Sequence, residues 1–227
     1  MDRRVVLLVV TLVGVVLLQS GALIVLEHRQ AGPERVSSES SASTPATPTN
    51  STGSNPATVS VTVYAFDESA EEVRSATIHV TPTEGESLYF DMTAVRPTAR
   101  FARSLQYAHR AARRIADVGG VKIRIDGPDS WETIGGGSAA LPVAAAITAT
   151  DRCYRLDPSV ASTGALDGEG QVVPVDHVRP KAEAAREAGT TRLVVPAGQT
   201  VDIDGIDVVG TDRFDETSPL LQQTRSC

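Results

Sequence analysis

The sequence runs to 227 residues with a formal net charge of −7, room for one medium domain plus accessory segments. The acidic balance argues against a nucleic-acid binder, which needs clustered Lys and Arg to neutralise phosphate, and it is compatible with a high-salt environment. Two cysteines, Cys153 and Cys227, with no Cys-x-x-Cys pair, leave too few thiolates for a cysteine-built zinc site. They either form one disulfide in an oxidising compartment or remain two thiols. No metal or cofactor requirement is read from the sequence.

From Val5 to Leu26 the chain is apolar and uncharged. A run of this length spans a bilayer core of roughly 30 Å as a helix, so residues 1–30 are predicted to be an N-terminal transmembrane anchor. A cleaved signal peptide needs a shorter apolar region and a small-x-small site, but Ser20-Gly21-Ala22 is followed by four more apolar residues, Leu23 to Leu26. Arg3 and Arg4 precede the run and Arg29 and Arg35 come after it, so the charge rule orients it weakly. Residues 31–58, dominated by Ser, Thr, Pro and Ala, cannot bury a core and read as a disordered stalk. The sequon Asn50-Ser51-Thr52 within it favours an extracellular placement of the C-terminal domain.

Residues 59–227 carry the folded pattern. Val59, Val61 and Val63 alternate with polar residues, as do the residues around Ile78 and Val80, and both read as strands. Thr81 to Gly85 is turn chemistry, and Leu88-Tyr89-Phe90 opens a further strand. Phe101, Leu105, Ala108, Ala112 and Ile115 then recur at helical spacing, with Arg103, Arg110, Arg113 and Arg114 on the solvated side and Gly119-Gly120 as the stop. Val121, Ile123 and Ile125 form the next strand, Ala139 to Thr150 a buried small-residue helix, and Val172, Val173 and Val175 a strand. Pro180 to Ala188 is a helix closed by Gly189, before the strand Leu193-Val194-Val195. This order gives an α/β, or α+β, domain.

Gly135-Gly136-Gly137-Ser138 separates the Val121–Ile125 strand from the small-residue helix. Glycines allow a tight turn there and put Ser138 at the helix N-terminus. Free N–H groups at that point stabilise an oxyanion, or the hydroxyl merely caps the helix. Trp131 and Glu132, just before the turn, either line a binding groove or pack as ordinary structure.

A second stretch carries more information. Thr163-Gly164 is followed by Gly170-Gln171-Val172-Val173-Pro174-Val175, then Lys181, Ala184-Ala185, Ala188-Gly189 and Leu193-Val194-Val195-Pro196. In this order the elements resemble the proteolytic domain of Lon-type serine proteases, whose nucleophilic serine follows a Gly-rich turn and whose lysine opens a later helix at a matching offset. The resemblance extends over roughly residues 59–209. It implies a Lon proteolytic-domain fold, Ser138 as nucleophile and Lys181 as general base. It also implies a supporting hydroxyl from Thr163 on the lysine, oxyanion donors from the Gly136-Gly137-Ser138 turn, polypeptide substrates and possible homo-oligomers. A lysine serves as base only when neutral, which burial and a place in the first helical turn favour.

The chain departs from the family at several points. Gly135 and Gly137 stand where an acidic residue and a proline are usual, Asp176 and His177 where paired glycines are usual, and Ala165 where a Glu is usual. His177, four residues before Lys181, either touches the site or is structural. The sequence has no Gly-x-x-x-x-Gly-Lys-Ser/Thr loop, which points to an ATP-independent, membrane-tethered endopeptidase. The departures motivate an alternative, an inactive Lon-like interaction module. The Gly135–Ala140 loop also resembles the phosphate loop of GHMP-type small-molecule kinases.

Overall fold

The computed structural model describes residues 57–68, 70–151, 153–216 and 220–223. The predicted anchor and glycosylation sequon, and all of the predicted stalk before Ala57, lie outside them. Among the described residues no helix is long and apolar enough to cross a membrane. Cys153 is disulfide-bonded, and Cys227, the other cysteine of the sequence, also lies outside.

Two alternating segments pair first. β1 (Val59–Asp67) and β2 (Glu72–Thr83) are antiparallel, in register from Val59 opposite Val80 to Asp67 opposite Glu72. β3 (Leu88–Asp91) and β5 (Gly120–Asp126), with β4 (Arg96–Pro97) lying between them in sequence, complete a sheet of order β1-β2-β5-β3. The alternation puts Ile78, Val80, Val121, Ile123 and Ile125 on one face, each essentially without solvent exposure. Helix α1 (Ala99–Ala112) lays Phe101, Leu105, Ala108 and Ala112 into the same core. Its start is capped by Thr98, whose hydroxyl accepts the Phe101 N–H. α2 (Ala140–Thr148) is buried over its whole length, which its small residues permit.

α1 ends at Ala112 with Arg113 as its C-cap, well before the predicted stop at Gly119-Gly120. Those glycines have a different purpose. A Cβ on Gly119 would lie 2.9 Å from the Gly85 carbonyl oxygen, and one on Gly120 would meet Thr83 Oγ1 at 2.7 Å and the Ser87 oxygen at 2.8 Å. The glycines let β5 pass close under the turn that joins β2 to β3, and Gly120 N–H donates to the Gly85 carbonyl at 2.6 Å.

The second half is built on a parallel sheet of order β12-β11-β8, from β8 (Val160–Ser162), β11 (Arg192–Pro196) and β12 (Asp207–Thr211). α3 (Val178–Glu187) packs Val178, Ala182 and Ala185 on Leu193, Val195 and Ile206, with Tyr64 of β1 in the same cluster. It begins two residues before the predicted Pro180 and closes, as expected, at Gly189, whose φ is +85°. Short pairs complete the fold: β6 (Thr133–Ile134) with β4, β7 (Tyr154–Leu156) with β13 (Leu221–Gln223), and β9 (Ala165–Leu166) with β10 (Val172–Val173). Val175, predicted as part of the last of these strands, lies outside it. Its backbone is instead clamped by a side chain: its N–H donates to Gln199 Oε1 and its carbonyl accepts from Gln199 Nε2, both at 2.8 Å.

The two halves join at Thr163-Gly164. Thr163 N–H donates to the Val194 carbonyl of β11, Gly164 N–H donates to the Ser138 carbonyl, and the Gly164 carbonyl accepts from Leu141 N–H of α2. A Cβ on Gly164 would lie 3.0 Å from Val172 and 3.1 Å from Leu141, so only glycine fits without displacing its neighbours.

Close backbone approach makes Gly120 the sharpest stability probe. Gly120→Ala is expected to lower unfolding stability by about 1–3 kcal/mol through overpacking against backbone oxygen. A shift of the urea midpoint at constant m-value measures it, and an unchanged midpoint removes the close-approach explanation.

Candidate active site

The Gly-rich turn and the start of α3 face each other across one cleft of about 660 Å³. Its lining includes Gly135, Gly136, Gly137 and Ser138 on one side and Asp176, His177 and Lys181 on the other. The end of β1 (Phe66, Asp67 and Glu68) and the pair Trp131 and Glu132 form further walls. Trp131 and Glu132 therefore line a groove, and Trp131 also packs on the main core.

The turn is shaped by Gly136, whose φ of +79° is a left-handed conformation that suits glycine. Gly137 needs its small size: a Cβ there would come within 3.3 Å of the Ala165 methyl. Ala140 N–H donates back to the Gly137 carbonyl at 3.0 Å and closes the turn. The N-cap of α2 is Ala139, which makes no side-chain cap bond, so Ser138 stands one residue ahead of the N-cap and does not cap the helix. Its hydroxyl makes no hydrogen bond among the described residues, and its carbonyl is held by Gly164. The N–H groups of Gly137 and Ser138 donate to no protein acceptor among the described residues. That leaves two adjacent donors beside a free, half-buried hydroxyl.

Lys181 sits in the first turn of α3, one residue after Pro180, which fills a position where no helical N–H is required. The side chain is 4% exposed. Helical side chains tilt toward the helix N-terminus, and here Nζ reaches back to donate to the Asp176 carbonyl at 3.0 Å. No carboxylate forms an ion pair with it among the described residues. Burial holds the amine below the ordinary lysine range, and the Asp176 charge opposes that shift. In the whole sequence the only lysines are Lys122 and Lys181, every other basic side chain apart from histidine being arginine. Arginine cannot give up its proton in a protein, and lysine can.

Ser138, Lys181, Gly136 and Gly137 are thus brought to one cleft, with no hydrogen bond between Ser138 and Lys181. Thr163 is placed differently from the implied role. Its hydroxyl is buried without a hydrogen-bond partner among the described residues, and the amine bonds to the Asp176 carbonyl instead. The backward tilt of the lysine explains this, because it aims Nζ at the carbonyl just before its own helix. Thr163 contributes through its backbone, as the link between β11 and Ser138.

What sequence reasoning misses at the lysine turn is the partner of His177. His177, the N-cap of α3, adopts a left-handed conformation with φ +58°. Its ring stacks on Phe66 of β1 with centroids 3.9 Å apart and planes 7° apart. Nothing in the local sequence marks Phe66 as a partner, because the contact joins residues far apart in the chain. The glycine usual at position 177 is the one signal in the sequence, since it implies a positive φ.

Residues 93–212 match the model of the Lon protease (S16) C-terminal proteolytic domain. The chain belongs to that family. Gly135–Ala140 and Pro174–Gly189 both lie inside the matched Lon region, which sets aside a small-molecule kinase. The chain is 31% identical over 107 residues to the archaeal Lon protease of Pyrococcus abyssi, covering 44% of this chain and 11% of that protein. It is 38% identical over 80 residues to that of Thermoplasma volcanium, covering 35% and 12%. With Lon protease 2 of Bacillus subtilis it shares 33% identity over 98 residues, covering 41% and 16%. The match spans well under a fifth of the length of these Lon relatives.

A buried amine without a counter-ion penalises the folded state whenever it is charged. The amine of this Lon domain titrates lower folded than unfolded, so over that window the unfolded chain holds more protons and stability rises with pH. Lys181→Met is expected to be more stable than the parent by about 1 kcal/mol at neutral pH. The difference should shrink toward alkaline pH, as measured by denaturant unfolding across the pH range. A constant difference would show that the amine is not the group responsible.

Proposed function

We propose that this chain is a serine endopeptidase that hydrolyses polypeptides through a Ser138–Lys181 dyad and an acyl-enzyme. The observation that carries the reading is a serine hydroxyl and a buried lysine amine in one cleft, with no hydrogen bond to the hydroxyl and no carboxylate paired to the amine among the described residues. Ser138 Oγ attacks the scissile carbonyl carbon while neutral Lys181 Nζ takes its proton. The resulting oxyanion lies against the N–H groups of Gly137 and Ser138. The C–N bond then breaks and Lys181 returns the proton to the leaving amine. Water attacks the Ser138 ester and passes its proton to Lys181, which returns it to Ser138 Oγ as the ester C–O bond breaks and the product acid leaves. The sequence carries no Gly-x-x-x-x-Gly-Lys-Ser/Thr loop, which supports reading the hydrolysis as ATP-independent. The apolar run Val5–Leu26 and the Ser/Thr/Pro-rich segment after it support a single-pass tether with the domain outside the cell. By analogy with the family, self-association into a homo-oligomer is also proposed.

A serine-directed acylating probe on the full-length chain tests the dyad. Labelling is expected in the parent and lost by about 10³-fold or more in Ser138→Ala and Lys181→Ala. Peptidase kcat/KM is expected to rise about tenfold per pH unit until the amine is neutral, then level off. A rate flat from acid to alkaline pH sinks Lys181 as base. An unlabelled parent, as well folded as its variants, points to an interaction module instead.

A further inference from the structure

We propose that His177 is a positioning residue for the lysine: its ring, stacked on Phe66, fixes the turn whose Asp176 carbonyl holds the Lys181 amine at the cleft shared with Ser138. The inference rests on the Ser138–Lys181 dyad and adds a part to it.

The turn from Val175 to Val178 has little else to hold it. Asp176 and His177 are both exposed, and neither lies in a strand or helix interior. No carboxylate bond fixes Asp176 among the described residues, yet its carbonyl is the acceptor of the Lys181 amine. Upstream, Gln199 clamps Val175. Downstream, Lys181 N–H bonds to the His177 carbonyl at 3.2 Å as the helix begins. Between these anchors the His177–Phe66 stack ties the α3 N-terminus to the end of β1.

A histidine in a left-handed conformation is uncommon and less favourable than glycine there. The position therefore trades backbone ease for a ring. A ring stacked on Phe66 offsets that loss and, unlike a glycine, restrains the direction in which the preceding carbonyl points. Losing the ring would free that carbonyl, let water reach the amine and favour the ammonium. The other charged groups lining the cleft are Asp67, Glu68, Arg100 and Glu132, besides Asp176. All of them stay unchanged when only His177 or Phe66 is substituted.

The test exploits the presence of only two lysines. In full-length protein labelled at lysine ¹³Cε, the pH titration of the Lys181 resonance is measured with exposed Lys122, ion-paired to Asp91 at 3.1 Å, as internal reference. His177→Gly suits the local φ and removes the ring; Phe66→Val removes the partner and keeps the imidazole; Phe66→Tyr keeps the stack. The first two are expected to raise the Lys181 midpoint and to lower hydrolysis at pH 7 by about fivefold, with the Lys122 midpoint unmoved. Phe66→Tyr should match the parent. A Lys181 midpoint unchanged in folded His177→Gly and Phe66→Val overturns the proposal, and so does a shift in His177→Gly alone, which would trace to the imidazole itself. If the parent proves inactive, the dyad reading falls, while the resonance still reports whether the stack holds the amine.

Discussion

The proposed dyad depends on hiding one amine from water with no carboxylate paired to it among the described residues. A lysine paired with a carboxylate stays charged, and a charged lysine is no base. α3 meets the requirement by carrying Lys181 in its first turn, on a helix packed against β11 and β1, where the amine's acceptor is a peptide carbonyl. A carbonyl accepts a proton donor whether the amine is charged or neutral, so it locates the group without fixing its charge. Much of the second half follows from this arrangement. Gln199 fastens the approach to the helix, Gly189 ends it, and the small residues Ala182 and Ala185 let it sit close enough to bury a long side chain.

Ser138, the proposed nucleophile, is treated in the opposite way: among the described residues its hydroxyl makes no hydrogen bond, and it is held through its backbone. Gly164 grips the Ser138 carbonyl and Leu141 N–H grips Gly164 in return, so the strand leaving the parallel sheet and the start of α2 are fastened together. Thr163 completes this link by donating to Val194 of β11, whose neighbours Leu193 and Val195 support the lysine helix. Ser138 and Lys181 are thereby referenced to the same central strand from two sides. Their separation is set by backbone hydrogen bonds and packing, with no direct bond between the two side chains.

Much of the fold is legible because its signals are local. Alternation marks β1, β2 and β5, a continuous apolar run marks β11, and helical spacing marks α1. The small-residue run marks a buried α2. The failures share a cause. Gly119-Gly120 look like a helix stop, whereas their smallness answers to a turn much earlier in the chain. Val175 looks like strand, whereas a glutamine side chain supplies the partner a strand would have given. Pairs as short as β7 with β13 carry no usable period. For the site, Ser138, Lys181 and the glycines are legible because they are ordered along the chain. The surroundings of the Thr163 hydroxyl and the His177–Phe66 stack are not, because they come from distant segments.

The departures from the family pattern at positions 176 and 177 bear on how such a dyad tolerates change. Paired glycines make a lysine-bearing turn easy to form and easy to deform. Asp176-His177 makes it harder to form, since His177 takes a conformation that glycine would take freely. The compensation has to come from tertiary contact, and Phe66 supplies it from β1. On the other wall the Ala165 methyl faces Gly137 and leaves little room for a Cβ there. The residues beside the proposed dyad bear on what holds its two groups. Neither the free hydroxyl of Ser138 nor the buried amine of Lys181 has been given a new partner, among the described residues, that would stop it reacting.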